Sequence, residues 1–339
     1  MITANSVVEL TRNPHDRAMA LDPAAVEAVR AYGPRLAYDQ VPRQVRAWVD
    51  DVLGSPVAAA ATQTGGFSPG AAARLRAVDG SRAFMKAVGP ALNPDTPGML
   101  RAEIEVLRAL GPSPLRPAVL GSYDDGDWVA LLLEDLDGHC PMLPWRSGEL
   151  ARVGAALDEL AATHTPSPWP DAPSLVERLP STFAGWQRLA KAPPEDLGDW
   201  ARRHLDDLVD VAERTAIAAA SGETCVHFDV RSDNIVLTRT RVVFVDWNWS
   251  ALGPDWFDTA CLALEVRVAG GDAEAFLDAH PRTSRADPTL ITGLIASLAG
   301  MFEERRRVPA PIGLPRLRPF QARYAAALAH WAQERTGWR

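Results

Sequence analysis

Asp229, Asn234 and Asp246 fall around one short hairpin in the stretch VHFDVRSDNIVLTRTRVVFVDWNWSALGPDWFDTA. Its two apolar runs, NIVLT and RVVFVDW, are brief, so their ends must lie close together. A carboxylate, an amide and a second carboxylate converging in this way suit phosphoryl transfer. One carboxylate orients an attacking hydroxyl, while the other and the amide oxygen hold Mg²⁺ against phosphate groups. An amide is a fitting ligand there, because a third carboxylate would overcharge a site that takes a triphosphate. Singly, HFD and VDW read as ordinary polar strand ends. The ordered set, with a hairpin between its parts, carries the assignment.

The same stretch resembles the catalytic and metal-binding loops of the aminoglycoside phosphotransferase and choline kinase group, distant relatives of protein kinases. The shared pattern is His-x-Asp, four residues, Asn, then a strand ending in Asp, here His227, Asp229, Asn234 and Asp246. The resemblance implies that Asp229 is the catalytic carboxylate and that Asn234 and Asp246 bind Mg²⁺. It implies that His227 braces the loop and that Arg231 lies near the γ-phosphate. It also implies that Asp258, in the DTA position, anchors the catalytic loop through backbone hydrogen bonds. Two residues depart from the pattern: Phe228 where Gly is usual, and Asp233 where Gly or Ser is common. Neither removes a catalytic group, although Asp233 alters the charge near the metal. The implied activity is transfer of the γ-phosphate of ATP or GTP to a hydroxyl of a small molecule.

On the nucleotide side, ATQTGGFSPGAAARLRA places a glycine turn between two strands. Gly65 and Gly66 let backbone N–H groups approach phosphate oxygens, and Ser68 adds a hydroxyl donor. This is no Walker A loop, because no Gly-Lys-Ser/Thr follows. Lys86 alternates with Phe84 and Val88 on one largely apolar face of SRAFMKAV, so it needs a partner or a phosphate. In the helix that follows, a rotation of about 100° per residue groups Glu103 with Leu100, Leu107 and Leu110, and turns Glu105 away. A carboxylate on a buried stripe requires a partner, and Lys86 is the candidate. The pair resembles the Lys–Glu pair of the kinase-like fold, in which Lys touches the α- and β-phosphates. WVALLLEDLDG resembles the hinge that reads the adenine edge through backbone groups, with Glu134 to Leu136 as the expected contacts.

These residues need a scaffold of two kinds. From Ser55 onward, SPVAAAATQ, AAARLRAVDG and SRAFMKAVG read as short strands, the last two joined by an Asp79-Gly80 hairpin. A helix is predicted over about Met99–Leu110, after the breakers Pro94, Pro97 and Gly98, and strands near Pro117–Tyr123 and Trp128–Leu133. Past Asp137-Gly138 the chain turns helical, as in GELARVGAALDELAATHT, with Pro-rich joints and the one catalytic hairpin. The expectation is an α+β, bilobal, protein-kinase-like fold: an N-terminal antiparallel-sheet lobe with one helix, then a larger helical lobe. Residues 1–48 form a helical extension, 49–136 the nucleotide-binding lobe and 137–339 the catalytic and acceptor-binding lobe. The resemblance runs from about Ala58 to about residue 265.

Bulk composition agrees. The chain has 339 residues, 47% apolar and 23% charged, with mean hydropathy −0.10, ordinary for a globular protein of this length. A net charge of −8 and a pI near 5.4 argue against a nucleic-acid partner. Cys140, Cys225 and Cys261 are too scattered for a disulfide framework or a cysteine zinc site. No stretch has the length of a signal-peptide core or a membrane span, so a cytoplasmic protein without a membrane partner is expected.

The acceptor side is less defined. Glu303 and Glu304 could face a polycationic aminoglycoside, but Arg305, Arg306, Arg307, Arg316, Arg318 and Arg323 make the region basic. Of Trp247, Trp249 and Trp256, at least two are expected in the core, leaving Trp249 to stack on a sugar or ring. His164 is expected to be structural. The acceptor is a small-molecule alcohol, an antibiotic or a metabolite such as choline, a sugar or an amino alcohol. A nucleotide-binding pseudoenzyme would lack one of Lys86, Asp229, Asn234 or Asp246, and all are present. A metal-dependent phosphohydrolase would need further clustered ligands that the seven histidines do not supply.

Overall fold

A computed structural model describes residues 35–63, 65, 66 and 69–339. Most of the expected extension, residues 1–34, lies outside this range, and so does Ser68. The chain begins with a two-residue strand β1 (Arg35–Leu36) and helix α1 (Arg43–Leu53), followed by strands β2 (Val57–Thr62), β3 (Gly70–Ala77) and β4 (Arg82–Val88). Helix α2 (Thr96–Leu110) leads to β5 (Val119–Asp124) and β6 (Val129–Glu134). The sheet runs β1-β3-β4-β6-β5 with β2 also on β3; every pairing is antiparallel except β1 with β3.

Alternation along the strands gives this sheet two buried faces. Ala83, Met85 and Ala87 of β4 and Ala130 and Leu132 of β6 pack with Val41, Val45 and Val49 under α1. The opposite residues, Val88, Leu131 and Leu133, join Leu100, Ile104 and Leu107 of α2 in the large core. Burial on both sides is why VALLLE reads as a continuous apolar run rather than an alternating one. Helix α2 starts earlier than expected, because Pro97 and Gly98 sit in its first turn. Proline is tolerated there, where its missing N–H has no helical acceptor to reach.

Beyond the hinge, β7 (Gly138–His139) pairs with β9 (Ile235–Thr238), which pairs with β10 (Val242–Phe244). The longer helices of this part are α3 (Ser147–Thr163), α4 (Leu205–Ala220), α5 (Phe257–Val268), α6 (Pro288–Arg305) and α7 (Leu317–Thr336). A second small ladder joins β8 (Thr224–Val226) to β11 (Ala251–Gly253). The helical lobe therefore holds more strand than the one hairpin expected of it. The β8–β11 ladder pins the two ends of the stretch from Thr224 to Gly253, so the loop after β8 and the loop after β10 meet. Among the described residues, no helix is long and apolar enough to cross a membrane.

Candidate active site

Lys86 and Glu103 meet as the sequence predicts. Lys86 Nζ lies 2.8 and 2.7 Å from the two Glu103 oxygens, and Glu103 is only 2% exposed. Glu105 points to solvent. The same ammonium reaches across to the other lobe and lies 2.6 Å from Asp246 Oδ1. Burial by itself would favour the neutral amine, but Asp246 and Glu103 outweigh it and raise the Lys86 pKa. Lys86 in turn holds Asp246 below the usual carboxylate range against the opposing effect of burial. One lysine thus ties β4, α2 and the loop after β10 together.

The loop after β8, which carries Asp229, is held from both ends. His227 Nε2 is 2.9 Å from the Val245 carbonyl and donates to it, which leaves Nδ1 to accept from the Asp229 N–H at 3.3 Å. The His227 ring meets Trp247 edge-on, 4.6 Å between centroids. Asp258 accepts from the backbone N–H groups of His227 and Phe228, both at 2.8 Å. These bonds hold Phe228 at φ 72°, a left-handed conformation in which glycine would be unstrained. Asp246, at φ 70°, is the other non-glycine residue in that region among the described residues.

Glu265 completes the support and escaped the sequence reading. It accepts from the Ser232 N–H and the Ser232 hydroxyl, both at 2.8 Å. Burial, reinforced by Asp233, raises its pKa to about 7. Asp258 and Glu265 are seven residues apart on α5, two helical turns, so both address the loop from one face. That spacing is the signal that marks Glu265.

Asn234 donates from Nδ2 to the carbonyl and to Oδ2 of Asp229, each at 2.9 Å. Arg231 lies between Asp229 and Asp233, 3.3 Å from each carboxylate, with its guanidinium 5.3 Å from the centre of the Phe320 ring on α7. Burial would lower the Arg231 pKa, but Asp229 and Asp233 raise it.

Between the lobes opens a cleft of about 600 Å³. Gly65 and Gly66 border it on the sheet side, Lys86, Glu103 and Asp246 at the polar end, and Glu134 and Leu136 along the hinge. Asn234 and Asp233 belong to its wall, and Asp229 and Arg231 lie behind them. Leu133, Val236 and Val245 supply apolar surface. The hinge is stiffened by a contact no local pattern announced: Asp135 pairs with Arg74 of β3 and Arg82 of β4, both at 2.6 Å. Glu134 pairs with Arg241 at 3.0 Å.

Trp247 and Trp256 are buried and Trp249 is 44% exposed. Arg178 donates to the carbonyls of Trp249 (3.1 Å) and Ser250 (3.3 Å) and so fixes that loop. His164 is buried between Arg116 (3.0 Å) and the Cys225 carbonyl (2.9 Å). Burial pushes its pKa down to about 4, as befits a neutral structural residue.

Comparison with known proteins agrees with this geometry. The model of the phosphotransferase enzyme family matches residues 67–290. A thermostable mutant of an aminoglycoside phosphotransferase, in ternary complex with ADP and hygromycin B, superposes with a TM-score of 0.56 at 13% identity, over 84% of this chain and 98% of its own. A choline/ethanolamine kinase family protein from Mesorhizobium loti gives 0.54 at 17% identity, over 86% and 94%. Choline kinase from Cryptosporidium parvum Iowa II gives 0.51 at 10% identity, over 82% and 89%. Among curated proteins there is no match. At these identities the structural likeness establishes the bilobal kinase-like fold, and the family match establishes the rest: the chain belongs to the phosphotransferase enzyme family and is a kinase-type phosphotransferase acting on a small-molecule hydroxyl.

Proposed function

We propose that the cleft binds a nucleoside triphosphate, ATP in the first instance, and that Asp229 directs its γ-phosphoryl group onto an alcohol held beside the helical lobe. The observation that carries this reading is the convergence of Lys86, Glu103 and Asp246 from two lobes at one end of a 600 Å³ cleft, with Asp229 behind Asn234. A charged lysine at that point suits the α- and β-phosphates, and the glycine turn suits their close approach to backbone N–H groups. Glu134 and Leu136 border the opposite, apolar end, which suits an adenine ring read by backbone groups.

The residues fit Mg²⁺. The available donors are oxygens, the Asp246 carboxylate and the Asn234 amide, and the Asn234 nitrogen is committed to Asp229, leaving the oxygen for a cation. Mg²⁺ uses one or two such protein ligands and completes its shell with phosphates and water. When bound it would offset negative charge on the phosphates. Asp229 accepts the hydroxyl proton as the new bond forms, and Arg231 both aims that carboxylate and places positive charge beside the transferring group. His227, Asp258 and Glu265 hold the loop that presents Asp229.

For the acceptor, the charge balance near Asp229 matters. Phe320, which covers Arg231, contacts Phe302, and the next residues on α6 are Glu303 and Glu304. Glu303 pairs with Arg306 (2.9 Å) and Arg307 (2.8 Å), and Glu304 with Arg188 (3.3 Å). Carboxylates matched by guanidinium groups favour an acceptor of low positive charge, a sugar-containing antibiotic or a metabolite alcohol, over a polycationic aminoglycoside. The test is a panel: aminoglycosides, nucleoside and other sugar-bearing antibiotics, choline, amino alcohols and simple sugars, with Mg²⁺ and ATP or GTP. Mass spectrometry should find one class phosphorylated. Preferential phosphorylation of the polycationic aminoglycosides would refute the charge argument.

A further inference from the structure

We propose that Arg35 is a ligand for the phosphate chain of the nucleotide, supplied by a segment that precedes the region shared with the family. The family match begins at residue 67, and Arg35 stands well before it on β1. The proposal rests on the cleft being the nucleotide site.

The position of Arg35 is fixed by pairing. Strand β1 runs parallel to β3 with Arg35 opposite Gly70 and Leu36 opposite Ala71. Leu36 packs against the core under α1, which anchors this short strand to the sheet. From there the Arg35 side chain crosses the glycine turn and donates to the Gly65 carbonyl. Gly66 gives it passage: φ is 86°, and a Cβ at that position would come within 2.6 Å of Arg35 Nη2. Gly66 thus serves the turn and clears the path of the guanidinium.

The guanidinium ends on the wall of the cleft that also holds Lys86 and Asp246. Burial lowers its pKa, and the nearby Asp246 carboxylate offsets part of that effect by favouring the charged form. Arg35 on the sheet side and Lys86 at the polar end therefore flank the space beneath the glycine turn. Arginine presents a planar fork of donors that matches phosphate oxygens in pairs, and it stays protonated when half-buried. The Gly65 carbonyl is a neutral partner, and anionic phosphate oxygens are stronger acceptors. The ligand class is a nucleoside di- or triphosphate. A nucleoside without phosphate makes no use of Arg35.

The experiment is isothermal titration calorimetry of the full chain with Mg·ATP, Mg·ADP and adenosine, on wild type, Arg35→Ala and Arg35→Gln. Loss of a charge-assisted contact predicts about tenfold or more weaker binding of ATP and ADP by both variants, with adenosine affinity unchanged. Arg35→Gln keeps a donor for the Gly65 carbonyl without the charge, so it separates phosphate binding from bracing of the turn, and it serves alone if the alanine variant does not fold. ATP affinity equal to wild type in Arg35→Gln would overturn the proposal, as would an equal loss for adenosine. Wild-type protein that binds neither ATP nor adenosine would instead remove the nucleotide site itself, and the proposal with it.

Discussion

Replacing Asp258 with alanine should cost about 1–4 kcal/mol of stability. Its carboxylate accepts two backbone N–H groups at 2.8 Å each, from the buried His227 and the partly buried Phe228. Leaving a buried donor without an acceptor costs about 1–3 kcal/mol, so two such donors set the gross loss. Part of it is returned, because the bonds hold Phe228 at φ 72°, a conformation that costs a non-glycine residue about 1–2 kcal/mol. Freed from Asp258, the loop can relax toward ordinary backbone angles. Relaxation recovers stability but moves Asp229, one residue on, so turnover should fall by more than stability alone explains. Asp258→Asn should be intermediate, since its amide oxygen serves one N–H and its nitrogen opposes the other. Equilibrium urea denaturation gives the stability difference, and kcat under folding conditions gives the second readout. An alanine variant within about 0.5 kcal/mol of wild type, with unchanged kcat, would refute the claim that Asp258 holds the loop.

Glu265→Gln probes the same loop through pH. The folded-state pKa of Glu265, about 7, lies above its unfolded value, so its protonated form favours the native state. Stability from this group is complete below about pH 4 and is lost as pH rises through about 7, by up to about 3 kcal/mol. Glutamine mimics the protonated acid, so the variant should match wild type at pH 5, exceed it at pH 8, and flatten the stability profile between them; an unchanged profile in urea titrations would contradict this. Glu103→Gln should leave Lys86 to Asp246 alone, where the ammonium competes with the cation. The Mg²⁺ concentration for half-maximal activity should rise about tenfold or more, and a kcat loss with an unaltered Mg²⁺ requirement would count against that competition.

Much of the architecture is written in local patterns. The β2-β3-β4-α2-β5-β6 order follows from period-two runs, an Asp-Gly turn and one amphipathic helix, each legible within a dozen residues. Helical periodicity favours Glu103 over Glu105, as does the family's spacing to Leu110, and the structure pairs Glu103 with Lys86. Helix α2 began early because proline's effect depends on its place in a helix, which local sequence underdetermines. The residues that escaped notice act across long separations. Asp135 meets arginines from two earlier strands, Glu265 supports a loop 33 positions away, and Arg35 reaches a turn 30 positions on. No composition or spacing in their own neighbourhoods announces such contacts, because their partners are brought to them by sheet register and helix packing. Glu265 is the partial exception, since its seven-residue spacing from Asp258 is visible once Asp258 has a role.

Asp229 serves transfer and not nucleotide binding in the proposed reaction. This role is tested most directly by comparing wild type with Asp229→Ala for Mg·ATP affinity, by calorimetry, and for phosphorylated acceptor, by mass spectrometry. Binding within a few-fold of wild type, together with loss of product by about a hundredfold or more, is the predicted result. Product formed by Asp229→Ala at the wild-type rate would contradict the account.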